Sequence, residues 1–275
     1  MKKIRGEYSE MVLYFTGTGN SLYVAKKLDD VRLSIPQIIH DDNKVYEADK
    51  IGIVSPIYGH EMPGLVKQFI KEAVFHAKYF YLVLTYGRMH GGAAELARQY
   101  LQECGLEADY INTIKMADNY LPAFDMKEQL ALDPEKKVDE HIAEIKKDIE
   151  SQKRWEQKVT QADRDRHQRY LNIRREEPID VKKGIFRVLD HCIGCGICMR
   201  VCPTGSIQVE NQHAQYTDTS HCQMCLACVQ HCPENAIRLT IPEKNPNARY
   251  HNGNIRLSEI VEANDQEKYK VRYEL

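Results

Sequence analysis

The chain has no apolar run long enough to span a bilayer. Its basic start, Met1-Lys2-Lys3-Ile4-Arg5, leads to an apolar stretch, Met11–Phe15, that is too short for the core of a secretion signal, and no small-residue cleavage site follows. These absences speak against membrane insertion and export, so a cytoplasmic location is the expectation. The charge is nearly balanced, with 38 Lys and Arg against 40 Asp and Glu, and there is no basic surplus of the kind that binds nucleic acid. Tryptophan occurs once, at position 155. The small-residue loop at Thr16–Ser21 contains no lysine or arginine. It is therefore not a Walker A loop, which needs Gly-Lys-Ser/Thr, and Leu22 stands where a G-x-G-x-x-G loop would need glycine. What remains is ordinary for a globular chain: 275 residues, 43 % hydrophobic and 28 % charged, enough for one main domain and a smaller one.

Cysteine is the residue that is not scarce. Eight of the nine fall into two copies of C-x2-C-x2-C-x3-C-P: Cys192, Cys195, Cys198, Cys202 before Pro203, and Cys222, Cys225, Cys228, Cys232 before Pro233. This is the spacing of bacterial iron–sulfur proteins. Three thiolates within seven residues can wrap one face of a cubic cluster, and the fourth serves the other cluster. The expected ligand sets are Cys192, Cys195, Cys198 and Cys232 for one [4Fe–4S] cluster, and Cys222, Cys225, Cys228 and Cys202 for the second. Zinc and disulfides are the alternatives. Structural zinc usually takes separated C-x2-C pairs, and disulfides need an oxidising compartment. Cys104 stands apart beside Gly105 and reads as a buried structural thiol.

The repeat extends beyond the ligands. Residues 192–209 and 222–239 align at an offset of thirty, with Cys-Pro-Thr-Gly-Ser-Ile at 202–207 matching Cys-Pro-Glu-Asn-Ala-Ile at 232–237. An apolar stretch follows each: Ile207 and Val209, then Ile237, Leu239 and Ile241. Over residues 184–241 the chain resembles the pseudo-two-fold bacterial two-cluster ferredoxin. In so small a module the clusters would act as the core.

The first ninety residues carry three continuous apolar runs, Met11–Phe15, Ile51–Val54 and Tyr79–Leu84, which suit parallel strands covered on both faces. Helical stretches at Ser21–Leu28, Gly64–Phe75 and Ala93–Cys104 lie between and after them, the second opening behind Pro63 and placing Leu65, Phe69, Ile70 and Val74 on one side. A further strand is expected near Tyr110–Met116. Asp133-Pro134 reads as a helix start, with Val138, Ile142, Ile145 and Ile149 as a sheet-packing stripe. The alternation predicts an α/β doubly wound parallel sheet, whose ligands sit at the carboxyl ends of the strands.

Three loops occupy that edge. The first, Thr16-Gly17-Thr18-Gly19-Asn20-Ser21, offers backbone N–H groups, hydroxyls and a helix N-terminus to an anion, and has every defining position of the flavodoxin phosphate loop. An ordinary glycine-rich turn is the alternative. The second contains Pro56, Ile57, Tyr58 and Gly59, and the third Thr85, Tyr86 and Gly87. In flavodoxins these two loops hold the isoalloxazine ring, so the resemblance implies FMN, with tyrosine faces against the ring and a glycine peptide near its N5 edge. Adenine dinucleotides are disfavoured by short loops and by the lack of an acidic ribose clamp. The loop 117–124, including Asn119, is expected near the flavin, covering the ring or bridging to the cysteine module.

Taken together, the chain resembles the flavodoxin–ferredoxin fusion proteins of anaerobes: residues 1–157 a flavodoxin-like FMN domain, 158–183 a charged helical connector, 184–241 a small α+β module with two [4Fe–4S] clusters, and 242–275 a polar tail. The function this implies is electron transfer between FMN and the clusters for an external redox protein or a small-molecule electron donor or acceptor. The rival expectations are an iron–sulfur flavoprotein oxidoreductase that reduces a small organic substrate, and a flavin-free docking module.

Overall fold

The computed structural model describes residues 8–177 and 185–267. Its larger module is a six-stranded, wholly parallel sheet in the order β2-β1-β3-β4-β5-β6. The strands are β1 (Glu10–Tyr14), β2 (Arg32–Ser34), β3 (Val45–Pro56), β4 (Val74–Tyr86), β5 (Tyr110–Lys115) and β6 (Trp155–Glu156). Reversal of strand order between β1 and β3 opens a crevice at their carboxyl ends, the usual ligand position in doubly wound sheets. Consecutive residues of β1 and β4 are buried, from Met11 to Phe15 and from Tyr79 to Leu84, so helices cover both faces. Those helices are α1 (Asn20–Leu28), the short α2 (Ile35–Ile38), α3 (Gly64–Glu72), α4 (Ala93–Glu103) and α6 (Val138–Glu150); between the last two, α5 (Met126–Ala131) instead puts Met126 into the smaller module's core.

Several boundaries differ from the sequence expectation, each for a local reason. The strand β2 has no apolar run to announce it; three residues, Arg-Leu-Ser, pair beside β1. β3 and β4 start well before their apolar cores. In Val45–Asp49 the pattern alternates, with Tyr46 and Ala48 buried and Val45, Glu47 and Asp49 exposed, so only one face of this extension is covered. α3 consequently stops at Glu72. Ala73 is already extended, and Val74 and Phe75 belong to β4, paired with Val45 and Tyr46. Asp133-Pro134 opens a 3-10 turn rather than a helix; Lys137, in the left-handed region at φ 49°, intervenes before α6 begins at Val138. The stripe itself holds, with Ile142, Ile145 and Ile149 buried against the sheet side. Trp155, the lone tryptophan, is a strand residue that pairs with Tyr110 and extends the sheet by one edge. Cys104 ends α4 and is half-buried.

The stretch 158–183, expected as a charged connector, contains a four-turn helix, α7 (Gln161–Glu176), started by a capping box between Thr160 and Asp163; residues 178–183 lie outside the described residues. The second module follows with two antiparallel pairs, β7 (Phe186–Val188) with β10 (Ile237–Leu239) and β8 (Ile207–Glu210) with β9 (His213–Tyr216). Its short helices α8 (Ile197–Arg200) and α9 (Ala227–Gln230) pack on each other, thirty residues apart as the repeat requires.

The described part of the tail does not hang free. From residue 245 to 267 it crosses back over both modules and includes α10 (Leu257–Asn264), which packs on α2 and α8. Buried Asn264 donates from one amide to two carbonyls, Thr16 O at 2.9 Å in the larger module and Val201 O at 3.3 Å in the smaller. Lys26 and Glu259 add an ion pair at 2.5 Å, and Ser34 donates to Ala263 O. Loss of a buried, doubly used amide costs about 1–3 kcal/mol. Asn264→Ala should therefore lower stability by about that amount in denaturant unfolding, and speed amide exchange at both module surfaces. An exchange change confined to the tail would contradict the clamp.

Candidate functional site: a cleft shared by both modules

The loop Thr16–Ser21 turns β1 into α1 with little freedom. Gly19 sits at φ 100° and its N–H donates to Thr16 Oγ1 at 3.1 Å, closing a tight turn. Because α1 starts at Asn20, its first-turn N–H groups have no intrahelical acceptor and are available to an anion. The loop hydroxyls are fixed from outside: Ser21 Oγ lies 2.8 Å from Thr85 Oγ1, and Asn119 Nδ2 donates to Thr18 Oγ1 at 2.5 Å. The tail locks the other side. Tyr250 donates its hydroxyl to Asn20 Oδ1 at 2.6 Å, Asn252 Nδ2 donates to the same oxygen, and Asn252 N donates to Thr18 O at 2.8 Å.

This loop borders a cleft of about 760 Å³. Of the sequence-assigned flavin residues, Thr16, Gly17, Thr18, Asn20, Ser21, Pro56, Ile57, Tyr58, Gly59, Thr85, Tyr86, Gly87 and Asn119 all line it. Gly19 does not; it faces the tail, where a Cβ would lie 3.0 Å from that of Asn252. Tyr58 packs edge-on to Phe15, and Tyr86 edge-on to His90. Asp118 ties two rims together by accepting from Arg88 N at 2.8 Å and from Tyr120 N, and Gly87 leaves the space its carboxylate fills. Burial pushes the Asp118 carboxyl up.

Further residues complete the cleft that the sequence reading did not assign. Tyr170 and Arg174, from α7, roof the second loop; Gly59, at φ 60°, is the only way Tyr170 can come so close, since a Cβ there would sit 2.3 Å from its hydroxyl. A polar helix with charge on every side gives no periodic signal that one end roofs a cleft. His60 lies under the same helix, its Nδ1 3.4 Å from His167 Nδ1, and burial, with the neighbouring histidines, pulls its pKa down. Met224 and Leu226 come from the cysteine module. The loop 117–124 both walls the cleft and bridges: Gln230 donates to Asn119 O at 2.9 Å, and Leu121 is buried in the smaller module's core.

In that module the cysteines surround two cavities in the crossed pattern. One is lined by Cys192, Cys195, Cys198 and Cys232, the other by Cys202, Cys222, Cys225 and Cys228. None of the nine cysteines is in a disulfide. Among the described residues, no group of three or more His, Cys, Asp or Glu converges to hold a single metal ion. Sulfurs arranged around a void suit a multi-iron cluster better than one zinc ion at bonding distance. Burial pushes the Cys198 thiol up to about 12 and raises those of Cys225 and Cys228 as well, so thiolates at these sites need bound cations. Donors to sulfur repeat by symmetry: Ser206 N to Cys202 Sγ at 3.4 Å and Ala236 N to Cys232 Sγ at 3.2 Å. Tyr216 donates its hydroxyl to Cys228 Sγ at 3.2 Å, on the second cavity alone.

Family models decide the assignment. Residues 11–120 match the model described as a flavodoxin domain, and residues 184–233 match that of a 4Fe-4S dicluster domain. The chain is a flavodoxin domain joined to a 4Fe-4S dicluster domain. It is an electron-transport flavoprotein with iron–sulfur chemistry. Among solved structures, the chain is similar to a suspected flavoprotein of Bacteroides uniformis, at 17 % identity, covering 41 % of this chain and 94 % of that one, TM-score 0.33. It is also similar to the Trp repressor binding protein of Bacillus subtilis, at 14 % identity over 38 % and 83 %, TM-score 0.28. Rubredoxin oxygen:oxidoreductase from the anaerobe Desulfovibrio gigas matches at 13 % identity over 52 % and 37 %, TM-score 0.30. No curated protein matches this chain. Among the described residues, no helix is long and apolar enough to cross a membrane.

Hydrogen bonds to cluster sulfur stabilise the more negative, reduced state and so raise its potential. Tyr216→Phe should lower the potential of the dicluster domain's second centre and leave the first unchanged, as read by redox titration. Equal movement of both centres would contradict the local contact.

Proposed function

We propose that this protein passes electrons, within one molecule, between FMN in the cleft and two [4Fe–4S] clusters in the dicluster domain, for an external redox partner. The supporting observation is the contact between domains. Gly17 of the phosphate loop lies against Cys225; a Cβ at Gly17 would be 2.9 Å from Cys225 O and 3.1 Å from its Cβ. The Tyr58 hydroxyl stands beside the same glycine, close enough to Cys225 and Cys222 that their charge adds to burial in pushing its pKa well up.

The cysteine sets carry distinct tasks in this reading. Cys202, Cys222, Cys225 and Cys228 hold the cluster next to the flavin. Cys192, Cys195, Cys198 and Cys232 hold the outer one, where Cys195 is exposed and Ile193 is 58 % exposed, the side from which a one-electron partner reaches it. In the cleft, Thr16, Thr18, Ser21 and the first-turn amides hold the phosphate, Asn119 steadies Thr18, and Tyr58, Gly59, Tyr86 and Gly87 bound the ring. When bound, a flavin supplies a centre that accepts electrons in ones or twos, which single-electron clusters cannot do. The working units are residues 1–157, 158–183, 184–241 and 242–275, with the third unit and the tail both docked on the first. The oxidoreductase reading also has an observation behind it: residues 117–124 wall the cleft, and Tyr170 and Arg174 stand over it, so a small substrate has somewhere to bind.

Crossed ligation provides the test. Wild-type protein purified without oxygen should carry about eight iron per chain. Cys202→Ala should halve that number by removing the cluster of Cys222, Cys225 and Cys228, keep its FMN, and take up electrons into the flavin at least about tenfold more slowly. Loss of the other cluster would reject the crossed sets. An unchanged flavin reduction rate would reject the path.

A further inference from the structure

The two halves of the dicluster domain differ most where one of them meets the flavin cleft. Four consecutive positions make the comparison. Ile193, Gly194, Cys195 and Gly196 in the first half correspond, thirty residues on, to Gln223, Met224, Cys225 and Leu226. Backbone geometry is conserved across the pair: Gly194 and Met224 have φ of 66° and 54°, Gly196 and Leu226 have 75° and 58°. All four are left-handed, a region that glycine enters freely and that Met or Leu occupies only against steric resistance. The first half therefore uses the residue this backbone favours, and the second half does not.

Local packing explains part of the difference. A Cβ at Gly194 would meet Gln212 O at 2.6 Å, so no side chain fits there. At Gly196 the nearest atom would be the Met199 methyl at 3.7 Å, and a side chain has room. Leu226 fills space in the smaller module's core and beside the second cysteine cavity, and it also reaches the cleft. Met224, only partly buried, has its main use at the domain contact. Gln223 accepts from Leu65 N at 2.8 Å, in the first turn of α3. Cys225 lies under Gly17. Met224 and Leu226 both line the flavin cleft, and Leu226 is 2 % exposed. Gln223 reaches the flavodoxin domain and Met224 lines its cleft, while Leu226 lies in the smaller module's core between the second cysteine cavity and the cleft; in the first loop Ile193 and Cys195 are exposed.

We propose that Met224 and Leu226 are flavin-binding residues: the dicluster domain supplies one wall of the flavin site, and strained side chains are kept at these two positions to make it. The inference rests on the FMN reading above. It makes the site composite, so that flavin is held fully only when the second cluster's loop is docked, and it couples retention of the flavin to the presence of its electron donor.

The test is FMN titration of flavin-stripped, full-length protein with its iron–sulfur content intact, followed by fluorescence quenching. Met224→Gly restores the residue of the first half and removes a partly buried apolar contact. FMN should bind about five- to tenfold more weakly, while iron content is unchanged and the thermal midpoint of the stripped protein is unchanged or higher. Gly196→Leu, the mirror exchange at the outer loop, should leave FMN affinity within about twofold. Unchanged affinity in Met224→Gly overturns the inference, as does an equal loss in Gly196→Leu. Wild-type stripped protein that binds no FMN, with iron intact, overturns the FMN reading and this inference with it.

Discussion

The architecture depends on one close approach, that of the Cys225 backbone to Gly17. A side chain at position 17 would crowd Cys225, its Cβ 2.9 Å from Cys225 O and 3.1 Å from Cys225 Cβ, and would push the two loops apart. With glycine there, the loop that begins the second cysteine motif reaches the Thr16–Ser21 loop at contact distance. Electron transfer falls steeply with separation, so the arrangement that brings a cluster loop against a flavin loop decides what the two domains can do together. Everything else in the second loop follows from that seat: Gln223 accepts from an amide at the start of α3, Met224 and Leu226 reach the cleft, and Cys225 is buried while its repeat mate Cys195 is exposed.

Keeping two domains in that register needs more than one contact. The two domains interlock through their cores, with Val201, Cys225 and Ala227 packed in the larger one and Ala117, Leu121 and Met126 in the smaller, and an interface between such units is usually mobile unless it is reinforced. To that apolar packing the structure adds buried polar contacts. Gln230 joins Asn119 O to Tyr250 N, Tyr250 and Asn252 converge on Asn20, and Asn264 spans Thr16 O and Val201 O. Buried amides of this kind are costly when half-satisfied and specific when paired, so they select one docked arrangement rather than a family of them. The roof helix α7 adds a contact on the far side of the cleft through Tyr170 over Gly59. The tail and the charged segment thus act as clamps on the flavin domain as well as connections.

The parts that could be read in the sequence were those whose physics is local. Three cysteines within seven residues constrain a ligand geometry by themselves, and the two cavities are lined by the crossed sets that spacing implied. Continuous apolar runs marked β1 and the centres of β3 and β4 because both sheet faces are covered. The Thr16–Ser21 turn between β1 and α1 was legible because it needs small residues in a fixed order, and all but Gly19 of the residues assigned to the flavin line one cleft. The alternating start of β3, the largely exposed start of β4, the three-residue β2 and the Trp155 edge strand were not legible, since each owes its conformation to a partner strand. Tyr170 and Arg174 were hidden in a helix polar on all sides. Met224 and Leu226 were visible in principle: aligning the repeat at thirty residues sets each against a glycine, and the exchange of glycine for a large side chain was the signal.

The central claim is that docking, not fusion alone, makes the two redox domains one device. The direct measurement is rapid mixing of the fully loaded protein with a one-electron reductant, following cluster and flavin absorbance over a wide range of protein concentration. Flavin reduction that follows cluster reduction at a rate independent of protein concentration is the predicted result. A rate proportional to protein concentration would mean that the domains exchange electrons only between molecules, and would contradict the account.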